Sequence, residues 1–194
     1  MTSRRGFFRL TGLTTVGGGA VFIAACGGDK DEKAPPTASP AERDVRILNS
    51  ALDLENTAIA AYSAGLKLLE GSLLETGRHF LAQEREHAAA LTQAISDLGG
   101  TPNKPRRAEE YRRQFPNLRS RHDVLRFAVD LENTAVEAYI DAIPRLSTPE
   151  LRQTGAAIVS NEAEHISVLR GALNPGDPAA QVPDAFVTGV ASVS

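Results

Sequence analysis

The chain carries one cysteine, Cys26, in 194 residues. A disulfide within the chain, a four-cysteine iron site and a cysteine-rich zinc site are therefore excluded. Tryptophan is absent and aromatic residues amount to 5%. Strands draw on aromatic and β-branched side chains, so their scarcity beside recurrent Ala and Leu favours helix. The apolar run Leu10 to Ala25 spans 16 residues and includes Gly12, Gly17, Gly18 and Gly19. That is short of the roughly 20 apolar residues a membrane-spanning helix needs. Basic residues are not in excess either, with 21 Lys and Arg against 24 Asp and Glu, which makes nucleic acid a poor partner. A content of 42% hydrophobic and 23% charged residues suits one all-α globular domain with appendages.

The first appendage, residues 1–25, has the form of an export signal: Ser3-Arg4-Arg5-Gly6-Phe7-Phe8-Arg9 precedes the moderately apolar run. The paired arginines resemble the twin-arginine motif, and that resemblance implies export of a folded protein by the twin-arginine machinery. Ile23-Ala24-Ala25-Cys26-Gly27 is similar to a lipobox, implying acylation of Cys26 and tethering to the outer face of the cytoplasmic membrane. The alternative is cleavage after the Ala pair and release. Cleavage before Cys26 removes Arg4, Arg5 and Arg9 and takes the net charge from −3 to −6. Residues 26–41 hold Gly, Pro and charge with little to bury, so they read as a lipidated Cys followed by a disordered tether. Residues 174–194, with Pro175, Pro178 and Pro183, read as an extended tail with Val182, Phe186 and Val187 available to lie on the domain.

Residues 42–173 contain four helical patterns. Ser39-Pro40-Ala41-Glu42, Ser72-Leu73-Leu74-Glu75 and Ser120-Arg121-His122-Asp123 each read as a serine N-cap followed by an acid, and the fourth helix opens at Ser147-Thr148-Pro149-Glu150. Gly71, Gly99-Gly100, Pro144 and Asn174-Pro175 mark ends. The first and third connections are a few residues long and force antiparallel hairpins, whereas the second, about 99–119, can run the length of a bundle. Its Lys104, Arg106, Arg107, Arg112, Arg113, Arg119 and Arg121 read as solvated charges in local ion pairs, or as contacts for anionic lipid headgroups.

The two hairpins are related. Asp53-Leu54-Glu55-Asn56-Thr57-Ala58-Ile59-Ala60-Ala61-Tyr62 recurs as Asp130-Leu131-Glu132-Asn133-Thr134-Ala135-Val136-Glu137-Ala138-Tyr139, identical at eight of ten positions. Each copy is followed by Glu-x-x-His, Glu84 to His87 and Glu162 to His165, at offsets of 77 for the first pair of helices and 78 for the second. Two such hairpins facing each other make a pseudo-two-fold site.

The core seams place these residues. Helix one reads Leu48, Leu52, Glu55, Ile59, Tyr62, Leu66 and Leu69; helix two Phe80, Glu84, His87, Leu91, Ala94 and Leu98; helix three Leu125, Ala128, Glu132, Val136, Tyr139 and Ile143; helix four Gly155, Ile158, Glu162, His165, Leu169 and Ala172. Each seam is apolar except in its middle. Four carboxylates buried there repel one another and cost several kcal/mol each as anions, so they protonate or find cations. Glu-x-x-His sets an oxygen and a nitrogen on neighbouring turns, about 5–6 Å apart at Cβ, within reach of one divalent metal. The alternative is a satisfied polar layer in which the histidines hydrogen-bond to the glutamates. Glu86, Glu164 and Glu137 point away from the seam, and His79 and His122 lie off its central layer.

This pattern resembles the ferritin-like, di-iron carboxylate family, similar to bacterioferritin and to exported bacterial ferritin-like domain proteins. The resemblance implies a four-helix bundle of two related antiparallel hairpins joined by a long crossover. It implies two divalent ions, iron ahead of manganese, with Glu55 and His87 on one metal, Glu132 and His165 on the other, and Glu84 and Glu162 bridging. It also implies a role for Tyr62 and Tyr139, as an electron relay or as a hydrogen bond to a ligand; a plain carboxylate cap is the other reading. The implied activity is oxidation of Fe(II) with O2 or peroxide, with an external electron donor for any reductase cycle. The alternative is a non-catalytic metal-binding or scaffold lipoprotein. No fifth helix of the ferritin type is expected after Leu173, which with the lipid tether disfavours a closed storage shell; the oligomeric state is left open.

Overall fold

The computed structural model describes residues 38–182 and 187–189; the paired arginines, Cys26 and Phe186 lie outside them. Among the described residues the α-helices are α1 (Pro40–Gly65), α2 (Gly71–Asp97), α3 (Ala108–Arg112), α4 (Arg121–Ala142), α5 (Pro149–Leu173) and α6 (Pro178–Gln181). Short 3-10 turns, Leu66–Leu68 and Ile143–Arg145, extend α1 and α4. None of these helices is long and apolar enough to cross a membrane.

The helix starts follow from local chemistry. Ser39 caps α1 in a reciprocal box: its Oγ accepts from Glu42 N at 3.2 Å, while Ser39 N donates to Glu42 Oε2 at 2.7 Å. Ser120 Oγ accepts from Asp123 N at 3.2 Å, and Thr148 Oγ1 accepts from Leu151 N at 3.3 Å with Pro149 in the first turn. The second start departs from the sequence reading. Gly71, expected to end a helix, begins α2 at φ +55°, and Ser72 lies inside the helix, where its carbonyl accepts from Thr76 Oγ1. After the turn Leu66–Leu68 the chain runs extended through Leu69 and Glu70 and enters α2 through a left-handed backbone at Gly71, which only glycine takes at no steric cost.

α1 packs along α2 and α4, and α5 packs along α4 and α2, so the four long helices form a bundle of two hairpins. The crossover climbs the outside of α1. Asn49 Nδ2 donates to Thr101 O at 3.1 Å, Asn49 Oδ1 accepts from Asn103 N at 2.6 Å, and Asn103 Nδ2 donates to Asp53 Oδ2 at 3.0 Å. Further up, Phe115 and Leu118 pack on Ala58, Ala61, Phe127 and Leu131. This path is anchored by α3, unforeseen in the sequence reading: Tyr111 is buried and its hydroxyl accepts from Arg106 N at 2.9 Å. The crossover ion pair Arg107–Glu110, at 2.8 Å, is solvent-exposed on its arginine side.

The other hairpin is tied to the start of α1 through Asp44. It is buried and accepts from Ser147 N at 3.1 Å and from Ser147 Oγ. The tail is less extended than its prolines suggest. Asp177 caps α6 by accepting from Ala179 N and Ala180 N, and Arg170 Nε holds α6 against α5 by donating to Ala180 O at 2.7 Å. Val182, expected to lie on the domain, is 67% exposed because α6 turns it outward. Val187 is partly buried. Beyond it Gly189 touches α4 so closely that a Cβ there would stand 2.4 Å from Glu137 N.

Two apolar clusters fill the bundle. One contains Leu48, Leu52, Leu91, Ile95 and Ile158; the other contains Phe80, Leu81, Leu125, Ala128 and Leu169. The polar layer of the seams lies between them.

Candidate metal centre

Glu55 on α1, Glu84 on α2, Glu132 on α4 and Glu162 and His165 on α5 are each at most 1% exposed. His87 on α2 joins them with its side chain 12% exposed. Helical periodicity puts each in its apolar seam, and bundle closure brings the seams together. The six side chains form two overlapping groups, Glu55, Glu84, His87 and Glu162, and Glu84, Glu132, Glu162 and His165, in each of which one ligand atom per residue lies within 4.8 Å of the others. Glu84 and Glu162 belong to both. Glu86, Glu164, Glu137, His79 and His122 are exposed and stand outside the layer.

The histidines turn Nδ1 inward. His87 Nδ1 lies 3.0 Å from Glu162 Oε1, 3.6 Å from Glu55 Oε2 and 3.8 Å from Glu84 Oε2. His165 Nδ1 lies 3.2 Å from Glu162 Oε2, 3.3 Å from Glu84 Oε1 and 3.4 Å from Glu132 Oε1. Tyr62 donates its hydroxyl hydrogen bond to Glu132 and Tyr139 donates its own to Glu55. Each tyrosine therefore serves the glutamate of the other hairpin. The hydrogen bond to a glutamate, one of the roles expected of these tyrosines, is present in both copies.

The electrostatics follow from burial. Burial pushes the Glu55 carboxyl up to about 8, helped by the charges of Glu162 and Glu84 and opposed by His87. Burial raises Glu132 well above the usual carboxylate range, with His165 opposing. For the imidazoles burial acts downward, but the surrounding carboxylates override it: Glu162, Glu55 and Glu84 bring His87 to about 12, and Glu132, Glu162 and Glu84 bring His165 to about 11. Burial acts upward on Glu162, and the close imidazoles of His165 and His87 outweigh it, leaving its carboxyl at about 2. Burial and the adjoining carboxylates hold both phenols well above 10.0, so they remain donors.

Both carboxylate oxygens of Glu84 and of Glu162, and Nδ1 of both histidines, are buried without an aligned hydrogen bond. Buried polar atoms are rarely left so. Here six of them converge from α2 and α5, and they are hard oxygen and imidazole donors, the set that suits first-row divalent ions. The arrangement fits the binding of divalent metal by these carboxylates and imidazoles.

Gln83 escaped the sequence reading. Its Oε1 lies 3.0 Å from His165 Nε2, and Phe80 stacks on the same imidazole with ring centroids 3.9 Å apart. A signal for Gln83 was present: its repeat counterpart, 78 residues on, is Asn161, so each hairpin carries an amide just before Glu84 or its relative Glu162.

Fold and site together define an all-α bundle with a buried, two-part carboxylate and histidine centre. The model of the ferritin-like domain matches residues 43–175, and the chain belongs to that family. Among solved structures, ferritin-like, diiron-carboxylate proteins from Bacillus anthracis str. Ames share its fold at a TM-score of 0.62 and 23% identity, covering 71% of this chain and 100% of theirs. A conserved hypothetical protein from Mycobacterium tuberculosis is similar at a TM-score of 0.62 and 21% identity, covering 69% of this chain and 97% of its own. No curated protein matches the chain.

Proposed function

We propose that this protein is an exported metalloprotein that holds two iron or manganese ions and uses them to oxidise Fe(II) with O2 or peroxide. The observation that carries the reading is the pair of overlapping ligand groups sharing Glu84 and Glu162. In this reading Glu55 and His87 would help to hold one ion, Glu132 and His165 the other, and Glu84 and Glu162 would serve both. Two such ions supply one-electron chemistry beside a site for O2 or peroxide. The chain's own part is to hold six donors in a buried layer, and to fix Glu55 and Glu132 through Tyr139 and Tyr62.

The sequence of the first 26 residues supports export by the twin-arginine machinery and a lipid anchor on Cys26. In this reading the centre lies at the outer face of the membrane, where an external donor would return electrons in any reductase cycle.

Adding Fe(II) and air, or Fe(II) and peroxide, to the purified protein tests the activity. Catalytic growth of ferric absorbance, abolished in Glu84→Ala/Glu162→Ala, is the expected result. A second reading, a non-catalytic metal-binding or scaffold lipoprotein, is favoured by the enclosure of five of the six donors at 1% exposure or less. Metal bound without turnover selects it.

A further inference from the structure

The internal repeat sets up two equivalent half-sites, and the side chains around them break the equivalence. His165 is sealed: it is 1% exposed, Phe80 covers its ring face at 3.9 Å between centroids, and Gln83 Oε1 sits 3.0 Å from its Nε2. His87 is 12% exposed, and among the described residues its polar contacts run through Nδ1 alone. The repeat shows where the difference comes from. The counterpart of Phe80 at the offset of 78 is Ile158, and the counterpart of Gln83 is Asn161. An aliphatic side chain replaces the flat ring, and an amide shorter by one methylene replaces the one that reaches across from α2 to α5.

From this asymmetry we propose that the two metal positions are unequal. The Glu132/His165 position retains its ion, the Glu55/His87 position exchanges, and Phe80 and Gln83 are the positioning residues that make the difference. The inference rests on the metal-binding reading above. The physical reasons are two. An acceptor on Nε2 fixes the tautomer in which Nε2 carries the proton and Nδ1 offers its lone pair inward, and such outer partners are worth about 10–100-fold in metal affinity. A ring stacked on the imidazole blocks its rotation and the approach of water, both of which are steps in ligand departure. Among the described residues neither restraint is built around His87, whose side chain is 12% exposed.

The test uses the full chain loaded with Co(II), whose d–d absorption reports each ion, mixed with excess EDTA. Two phases of equal amplitude, separated by about tenfold or more in rate, are expected. His87→Ala should abolish the fast phase and His165→Ala the slow one. Gln83→Leu should accelerate the slow phase by about tenfold and leave the fast one unchanged, whereas Gln83→Glu, which keeps an oxygen opposite Nε2, should preserve it. Because Phe80 belongs to the core, its role is read from the converse exchange: Ile158→Phe/Asn161→Gln should slow the fast phase. Two ions leaving in one phase, or Gln83→Leu changing both phases alike, would overturn the proposal and leave the metal centre standing. Failure to bind Co(II) at all would overturn both.

Discussion

Tyr139 on α4 donates its hydroxyl hydrogen bond to Glu55 on α1, and Tyr62 on α1 returns the arrangement to Glu132 on α4. The residues come from the same repeat, seven positions apart in each copy, yet neither tyrosine bonds the glutamate of its own helix. This exchange locks the two hairpins in one register; it leaves Oε2 of Glu55 to face His87 Nδ1 at 3.6 Å, whereas in Glu132 the oxygen that accepts from Tyr62, Oε1, is also the one 3.4 Å from His165 Nδ1.

Tyr139→Phe leaves a buried carboxylate oxygen without its donor, a change that costs about 1–3 kcal/mol. The metal-free protein should lose stability by that amount in thermal or urea denaturation, and Tyr62→Phe should match it. Metal stoichiometry, measured by plasma mass spectrometry, should stay at two. Loss of one ion in either variant would mean that the phenol, rather than the carboxylates, sets that position.

The stability of the metal-free protein should fall with pH while the stabilisation by metal grows. Glu55 stands at about 8 in the fold against an ordinary 4.5, raised by burial, so its favourable contribution is complete below pH 4.5 and is lost as pH climbs through 8. Glu132 acts in the same direction. The histidines, at about 12 and 11 against an ordinary 6.5, contribute fully below pH 6.5 and lose that contribution only as pH rises through the higher values. Glu162, at about 2, has the opposite sign: its contribution is present above pH 4.5 and is lost as pH falls through 2. The metal-free protein should therefore weaken from pH 5 to pH 8. Ligation displaces these protons, so the rise in Tm on adding Mn(II) or Co(II) should grow over the same interval. A metal-induced shift that is flat with pH would count against ligation by protonatable side chains.

Asp44 supplies a prediction far from the centre. Buried beside Ser147, it joins the second turn of α1 to the loop before α5. Asp44→Ala strands the Ser147 amide and should cost about 1–3 kcal/mol, without altering metal content. An unchanged Tm would show that water replaces the carboxylate there.

What could be read from the sequence was whatever repeats along one helix. The periods of α1, α2, α4 and α5 placed Glu55, Glu84, Glu132 and Glu162 in apolar seams before any contact was known, and the caps at Ser39, Ser120 and Thr148 are local rules. Contacts between helices were not legible in the same way. Gln83 lies one residue before the seam glutamate, and its role depends on how closely α2 approaches α5. Asp44 reads as an ordinary acid near the start of α1 until the fold brings Ser147 beside it, and Tyr111 reads as one aromatic in a charged loop until α3 seats it against α1. Gly71 was misplaced because a glycine with a left-handed backbone ends many helices, and here it opens one.

The most direct test of the central claim is the metal content of the full-length protein exported by its own signal, measured by plasma mass spectrometry beside Glu84→Ala/Glu162→Ala. The two shared carboxylates predict about two equivalents of iron or manganese per chain and their loss in the double variant. A native protein without metal, or a double variant that keeps both ions, would contradict the account and leave the buried layer a structural one.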